Sequence, residues 1–252
     1  MIDNRNQFSD NFFDSGENVA ERYASYDAER FYPAFNSMSK AIKRLIPCNK
    51  ILDIGCAKGF FVDVLRKKGY DAYGTDISQY AVNQSPVDIK SFLSVCDLNS
   101  EVLPFSDSSF DLIICMGTLE YIENQSHALN EINRVLKSGG ILLMTTLNSV
   151  PDGDELRKFA KTEEEWQTIF NKLDFRSNKV LATRVISKYV RKIILYDLGK
   201  ALRHSKERNI KLIAAKLLFN TIAKYLLIEY LYNKQIKSGY LMLSYRKTEY
   251  GK

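Results

Sequence analysis

Between Lys50 and Leu147 short apolar runs alternate with amphipathic stretches, and this rhythm constrains the fold more than any other feature of the sequence. Apolar runs of four to seven residues read as buried strands, and the intervening segments are long enough to be crossover helices. That pattern specifies a parallel sheet rather than a meander. Strands are expected at Ile51–Ile54, Ala72–Ile77, Ser91–Cys96, Leu112–Met116, Ile141–Leu147 and Val180–Thr183. The fourth, LIICM, is almost wholly apolar, as a strand covered on both faces must be. Helices are expected at Phe60–Lys68, Ser78–Gln84 and Ser126–Leu136, and from a capping box of Thr162 with Glu165 to Leu173. A last strand is expected at Gly239–Lys247, after a long helical insertion. The expected fold is thus α/β: a Rossmann-like, doubly wound, mostly parallel seven-stranded sheet, with a helical segment inserted before the last strand.

A chain of 252 residues can bury a large core without disulfides. None of Cys48, Cys56, Cys96 and Cys115 forms a CxxC pair, and the chain has two histidines, His127 and His204. Buried reduced thiols and no metal site are expected. The start MIDNRNQFSD has no apolar h-region, so the expected location is cytoplasmic.

Charge divides the chain. Residues 178–252 hold 17 Lys+Arg against 4 Asp+Glu, a net of +13, and the remainder carries −7. The expected organisation is a helical lid or packing segment over 1–46, a ligand-binding core over 47–183, and a basic helical cap with the final strand over 184–252. The lid is marked by Tyr23, Tyr26, Phe31, Tyr32 and Phe35 and interrupted by Pro33; residues 1–20 are expected to be polar and mobile. In the cap, Lys216, Asn220 and Lys224 form a narrow polar stripe within Lys211–Tyr232. A wide apolar face remains, suited to packing on the core or on a second copy, or to peripheral contact with an anionic membrane. Lysines interrupt this stretch too often for a membrane span, and no RNA-binding module accompanies the charge, so nucleic acid is not an expected partner.

The chemistry is concentrated at three successive strand ends. Asp53-Ile54-Gly55-Cys56-Ala57-Lys58-Gly59 joins the first strand to the first helix through glycines that allow left-handed torsions and close approach. The aspartate before the first glycine and the missing third glycine of GxGxxG disfavour a dinucleotide site. They suit a cationic or amino-bearing ligand. Asp76 ends the second strand, where a carboxylate can accept from a ribose diol. Asp97 ends the third, where it can accept from an exocyclic amine.

With these residues, the run LPFSDSSFDLIIC, LEYI after it and RVLKSGGILLMTT, the chain resembles the class I S-adenosylmethionine-dependent methyltransferases over about Ile51–Leu173. The similarity is to the broad group with small-molecule or glycan substrates. It implies S-adenosylmethionine as methyl donor. Asp53, Gly55, Cys56, Ala57 and Gly59 would surround its methionine portion. Asp76 would bind the ribose, Ile77 would pack on the adenine, and Asp97 with Leu98 would contact the ring. Met116 and Gly117 would border the reacting methyl. Ala57 stands where many members have glycine, and Tyr121 where many have histidine, which removes the usual base near the methyl. Glu120 and Tyr121 remain as candidate catalytic groups. The expected reaction is methyl transfer to a hydroxyl, amine or carboxylate of a small molecule or sugar. A lipid-linked acceptor at a membrane surface is the alternative, and RNA a weaker one.

Overall fold

The computed structural model describes residues 8–15, 26–150, 157–204 and 240–248. A π-helical turn over Asn11–Ser15 is followed by α1 (Ala28–Leu45), β1 (Lys50–Ile54), α2 (Phe60–Lys67), β2 (Asp71–Asp76) and α3 (Gln79–Asn83). Then come β3 (Leu93–Val95), β4 (Phe110–Met116), α4 (Gln125–Val135), β5 (Leu136–Leu147), α5 (Glu163–Lys172), β6 (Phe175–Ser177), α6 (Lys179–His204) and β7 (Tyr240–Lys247). Among the described residues seven strands form one sheet in the order β3-β2-β1-β4-β5-β7-β6. Strands β3 to β5 through β1 are parallel, and β7 runs antiparallel to both β5 and β6. The chain order reverses between β1 and β4, so the carboxyl ends of β1, β2 and β4 open a crevice at this switch point.

Both faces of the sheet are covered. On one, Ile51, Ile114 and Leu143 pack with Phe35, Met38 and Ile42 of α1, Phe61 and Leu65 of α2, and Val185 and Ile186 of α6. On the other, Leu52, Ile113 and Leu142 pack with Leu129 and Ile132 of α4 and Trp166 and Phe170 of α5. Asp111 ties the strand starts together. Its carboxylate accepts from the N–H groups of Asn49 and Lys50 (2.9 and 2.8 Å) and from Lys137 Nζ (2.7 Å). The capping box at Thr162 and Glu165 is present in full.

Three expectations need correction. Pro33 does not break the first helix, since α1 runs through it for 18 residues. Proline removes one backbone bond in the second turn, where burial of Phe31, Phe35, Met38 and Ile42 on one face holds the helix. Val180–Thr183 is not a strand. The sixth strand is Phe175–Ser177, and Asn178 Oδ1 then accepts from Leu181 N (3.2 Å) at the start of α6. β-Branched residues suggested a strand there, but Ala182, Val185 and Ile186 are buried at the spacing of a helix face. The division expected at 183/184 therefore falls inside α6. Phe12 and Phe13, in the segment expected to be polar and mobile, are buried.

All four cysteines are free thiols. No group of His, Cys, Asp or Glu among the described residues could hold a metal ion, and no helix among them is long and apolar enough to cross a membrane. Tyr23 and the basic stretch Lys211–Tyr232 lie outside the described residues.

Candidate functional site

The turn after β1 is built by torsions that ordinary side chains resist. Gly55 has φ +74° and Gly59 φ +71°. The N–H groups of Gly55 and Cys56 both donate to Thr75 O (2.8 and 3.0 Å), which locks the turn to β2. The space beside each glycine belongs to the protein. A Cβ on Gly55 would lie 2.1 Å from Thr118 Oγ1, and one on Gly59 would meet Leu93 and Ile89 at 2.7 and 2.8 Å. The absence of a Cβ at each glycine thus leaves room for these neighbouring side chains. Cys56 is buried with its sulfur against Gly74, and neither Cys56 nor Gly59 lines the cavity in front of the turn. They support it from behind.

Ala57 sits at φ +50°, a left-handed conformation that costs an L-residue about 1–2 kcal/mol. Its N–H donates to Asp76 Oδ2 (2.7 Å), while Asp76 Oδ1 accepts from Ser78 N (2.9 Å). Asp76 therefore fastens the first loop to the second. Asp97 Oδ1 accepts from both Asn99 N and Asn99 Nδ2 (2.9 Å each).

Asp53, Asp76, Asp97, Gly55, Ala57, Ile77, Leu98, Met116, Gly117 and Tyr121 all line one cavity of about 380 Å³, in the size range of small-molecule sites. Burial first, and the neighbouring Asp76 second, push the Asp53 carboxyl up to about 8. Burial raises Asp76 as well, against the lowering effect of the backbone N–H groups of Ser78, Ala57 and Ile77. Two carboxylates that resist ionisation beside each other form a receptor for positive charge. A ligand bearing a sulfonium and an ammonium fits that pair of acceptors.

The two catalytic candidates separate. Tyr121 lines the cavity, with ring centroids 5.6 Å from Phe8 and 6.1 Å from Phe12, both edge to face. Glu120, in the single turn Leu119–Tyr121, is 2% exposed and is not on the wall. Its charge instead acts on Cys115, whose thiol is raised by burial and then by Glu120.

Sequence reasoning missed much of the remaining wall. Phe8, Phe12 and Phe13 close the cavity from the amino-terminal segment, and Ser78 Oγ donates to Phe8 O. Phe8 and Phe12 are four apart, a helical-turn spacing that could have marked them. Thr118, Lys158, Phe159 and Tyr189 also line it and carried no signal of their own. Gln125, which is buried, holds the Lys158–Phe159 segment in place: its Nε2 donates to both Leu119 O and Phe159 O (2.8 Å each).

The Methyltransferase domain family matches residues 52–144. Over 103 residues the chain is 31% identical to the ubiquinone biosynthesis O-methyltransferase of Methylococcus capsulatus, covering 39% of this chain and 44% of that one. Over 122 residues it is 33% identical to the mitochondrial arginine-hydroxylase NDUFAF5 of Rattus norvegicus, covering 45% and 34%. The chain spans 34% to 60% of the length of the first curated relatives it matches. Among solved structures, phosphoethanolamine N-methyltransferase 2 of Haemonchus contortus, in complex with S-adenosyl-L-methionine, shares the fold. The TM-score is 0.56 at 16% identity, over 85% of this chain and 53% of that one. The domain match and the sheet order together identify residues 52–144 as a methyltransferase domain of the class I S-adenosylmethionine-dependent type.

Proposed function

We propose that the protein moves the methyl group of S-adenosylmethionine onto a small molecule. The observation that carries this reading is the set of three strand-end acids around one cavity, two of them held above their ordinary carboxylate range. Asp53 would hold the amino group of the methionine portion, Asp76 the ribose diol, and Asp97 with Leu98 and Ile77 the adenine. Met116 and Gly117 would border the sulfur. The donor supplies a methyl already activated on a positively charged sulfur.

The chain then has two tasks. It fixes the acceptor in line with the methyl–sulfur bond, which can contribute on the order of 7–11 kcal/mol in well-placed systems. It also excludes water, for which the aromatic closure by Phe8, Phe12 and Tyr121 is suited. The ubiquinone O-methyltransferase relative supports oxygen as the accepting atom.

Calorimetric titration with S-adenosylmethionine tests the donor, and transfer of a labelled methyl group to candidate acceptors tests the reaction. The wild type is expected to bind, and Asp76→Asn to bind at least tenfold more weakly while still melting cooperatively. Absence of binding by the wild type would overturn the reading.

A further inference from the structure

The donor reading leaves half of the cavity wall without a task, and that half has a distinct chemistry. Phe8, Phe12 and Tyr121 form a corner of three rings packed edge to face, with centroids 5.0 to 6.1 Å apart. Phe159 and Tyr189 continue the wall. Such a surface offers ring faces and edges and few hydrogen-bond partners. Burying a polyol against it would leave hydroxyls unpaired, at about 1–3 kcal/mol each.

Charge is partitioned too. Asp53, Asp76 and Asp97 belong to the donor half, and the backbone of Glu123 is tied to that end, its N–H donating to Asn99 Oδ1 (2.9 Å). Among the described lining residues the remaining charge is Lys158, exposed beside Phe159 with its Nζ 5.4 Å from the ring centroid. Gln125 and the bond from Phe159 N to Glu120 O fix this segment next to Tyr121.

The described acceptor half presents no carboxylate or imidazole to take up a proton. Glu120 is off the wall, and His127 Nε2 lies 3.0 Å from Glu101 O, away from the cavity. A nucleophile that enters already deprotonated needs no base from this wall. Carboxylic acids enter in that form, with values of about 4, whereas alcohols do not.

We propose that the acceptor is a flat apolar acid, its body held in the corner of Phe8, Phe12, Tyr121 and Phe159 and its carboxylate met by Lys158. The proposal rests on the methyl-donor reading above. In the transfer a carboxylate oxygen lone pair forms the new bond to the methyl carbon. The methyl–sulfur bond breaks and its electron pair stays on sulfur. The carboxylate becomes a neutral methyl ester, the sulfonium a neutral thioether, and no proton moves. The ester has lost the charge that Lys158 answers, which favours its release.

The test is equilibrium binding by calorimetry on the intact chain, with 2-naphthoate, 2-naphthalenemethanol and methyl glucoside as probes, run beside the donor titration. The naphthoate is expected to bind at least fivefold tighter than the alcohol, with the glucoside weakest. Lys158→Gln should bring acid and alcohol within twofold, and Tyr121→Ala should weaken both; a melting curve on each variant checks that it is folded. Equal binding of acid and alcohol by the wild type, preference for the glucoside, or an acid preference that survives Lys158→Gln would overturn the proposal. Donor binding without acid preference defeats this inference alone. Acid preference without donor binding defeats the methyl-transfer reading instead.

Discussion

At the scale of single residues, the turn after β1 separates two effects that a glycine motif merges. Gly55 combines a left-handed torsion with a Cβ direction already filled by Thr118. Gly55→Ala should therefore shift the turn, cost at least about 2 kcal/mol in a urea denaturation series, and weaken donor binding at least tenfold. Ala57 has the same kind of torsion without glycine's freedom. Ala57→Gly relieves that strain, partly offset by the greater entropy of the unfolded chain, so a gain of up to about 1 kcal/mol is expected from the same series. A loss of stability would show that the Ala57 methyl packs better than its torsion suggests. The sequence made the glycines, Asp76 and Asp97 conspicuous because each ends a strand at a fixed offset. It could not say that the glycines admit Thr118 and Leu93, because those contacts join residues more than thirty positions apart in the chain.

At the scale of elements, local signals were read well wherever they were self-sufficient. The capping box of α5, the apolar run of β4 and the last strand β7 all lie where their own residues placed them. Signals decided by distant partners were not read. Pro33 is carried by the packing of α1, and Val180–Thr183 turns into helix once Phe175–Ser177 has taken the sheet edge. The amino-terminal Phe8, Phe12 and Phe13 sit in a polar context, and only the cavity gives them a place. The same reasoning gives a test at Gln125, whose one amide nitrogen joins the turn before α4 to the Phe159 segment. Gln125→Ala strips two backbone carbonyls of their donor. A destabilisation of about 1–3 kcal/mol is expected by chemical denaturation. Hydrogen exchange around Phe159 should also rise faster than in β4. Uniform exchange across the molecule would mean that the segment has other anchors.

Over the whole molecule, fold and site are coupled through buried charge. The switch point brings the ends of β1 and β2 together, and this sets Asp53 against Asp76 in a place poor in water. The Asp53 carboxyl, raised from 3.8 to about 8, holds its proton more tightly folded than unfolded. Its contribution to the stability of the free protein is thus fully present below pH 3.8 and is lost as pH rises through about 8. A cationic donor reverses the balance, because it favours the ionised carboxylate. Its affinity should rise with pH up to about 8 and then level off, with proton release on binding below that value. The measurement is the gap in melting temperature between the free protein and the protein saturated with S-adenosylmethionine, taken from pH 6 to pH 9. The gap should widen across this range, as the free form loses stability and the bound form does not. Asp53→Asn, which cannot ionise, should flatten both the free-protein curve and the gap. A gap independent of pH in the wild type would show that Asp53 does not answer the positive charge of the donor, and would leave Asp76 and Asp97 to hold it.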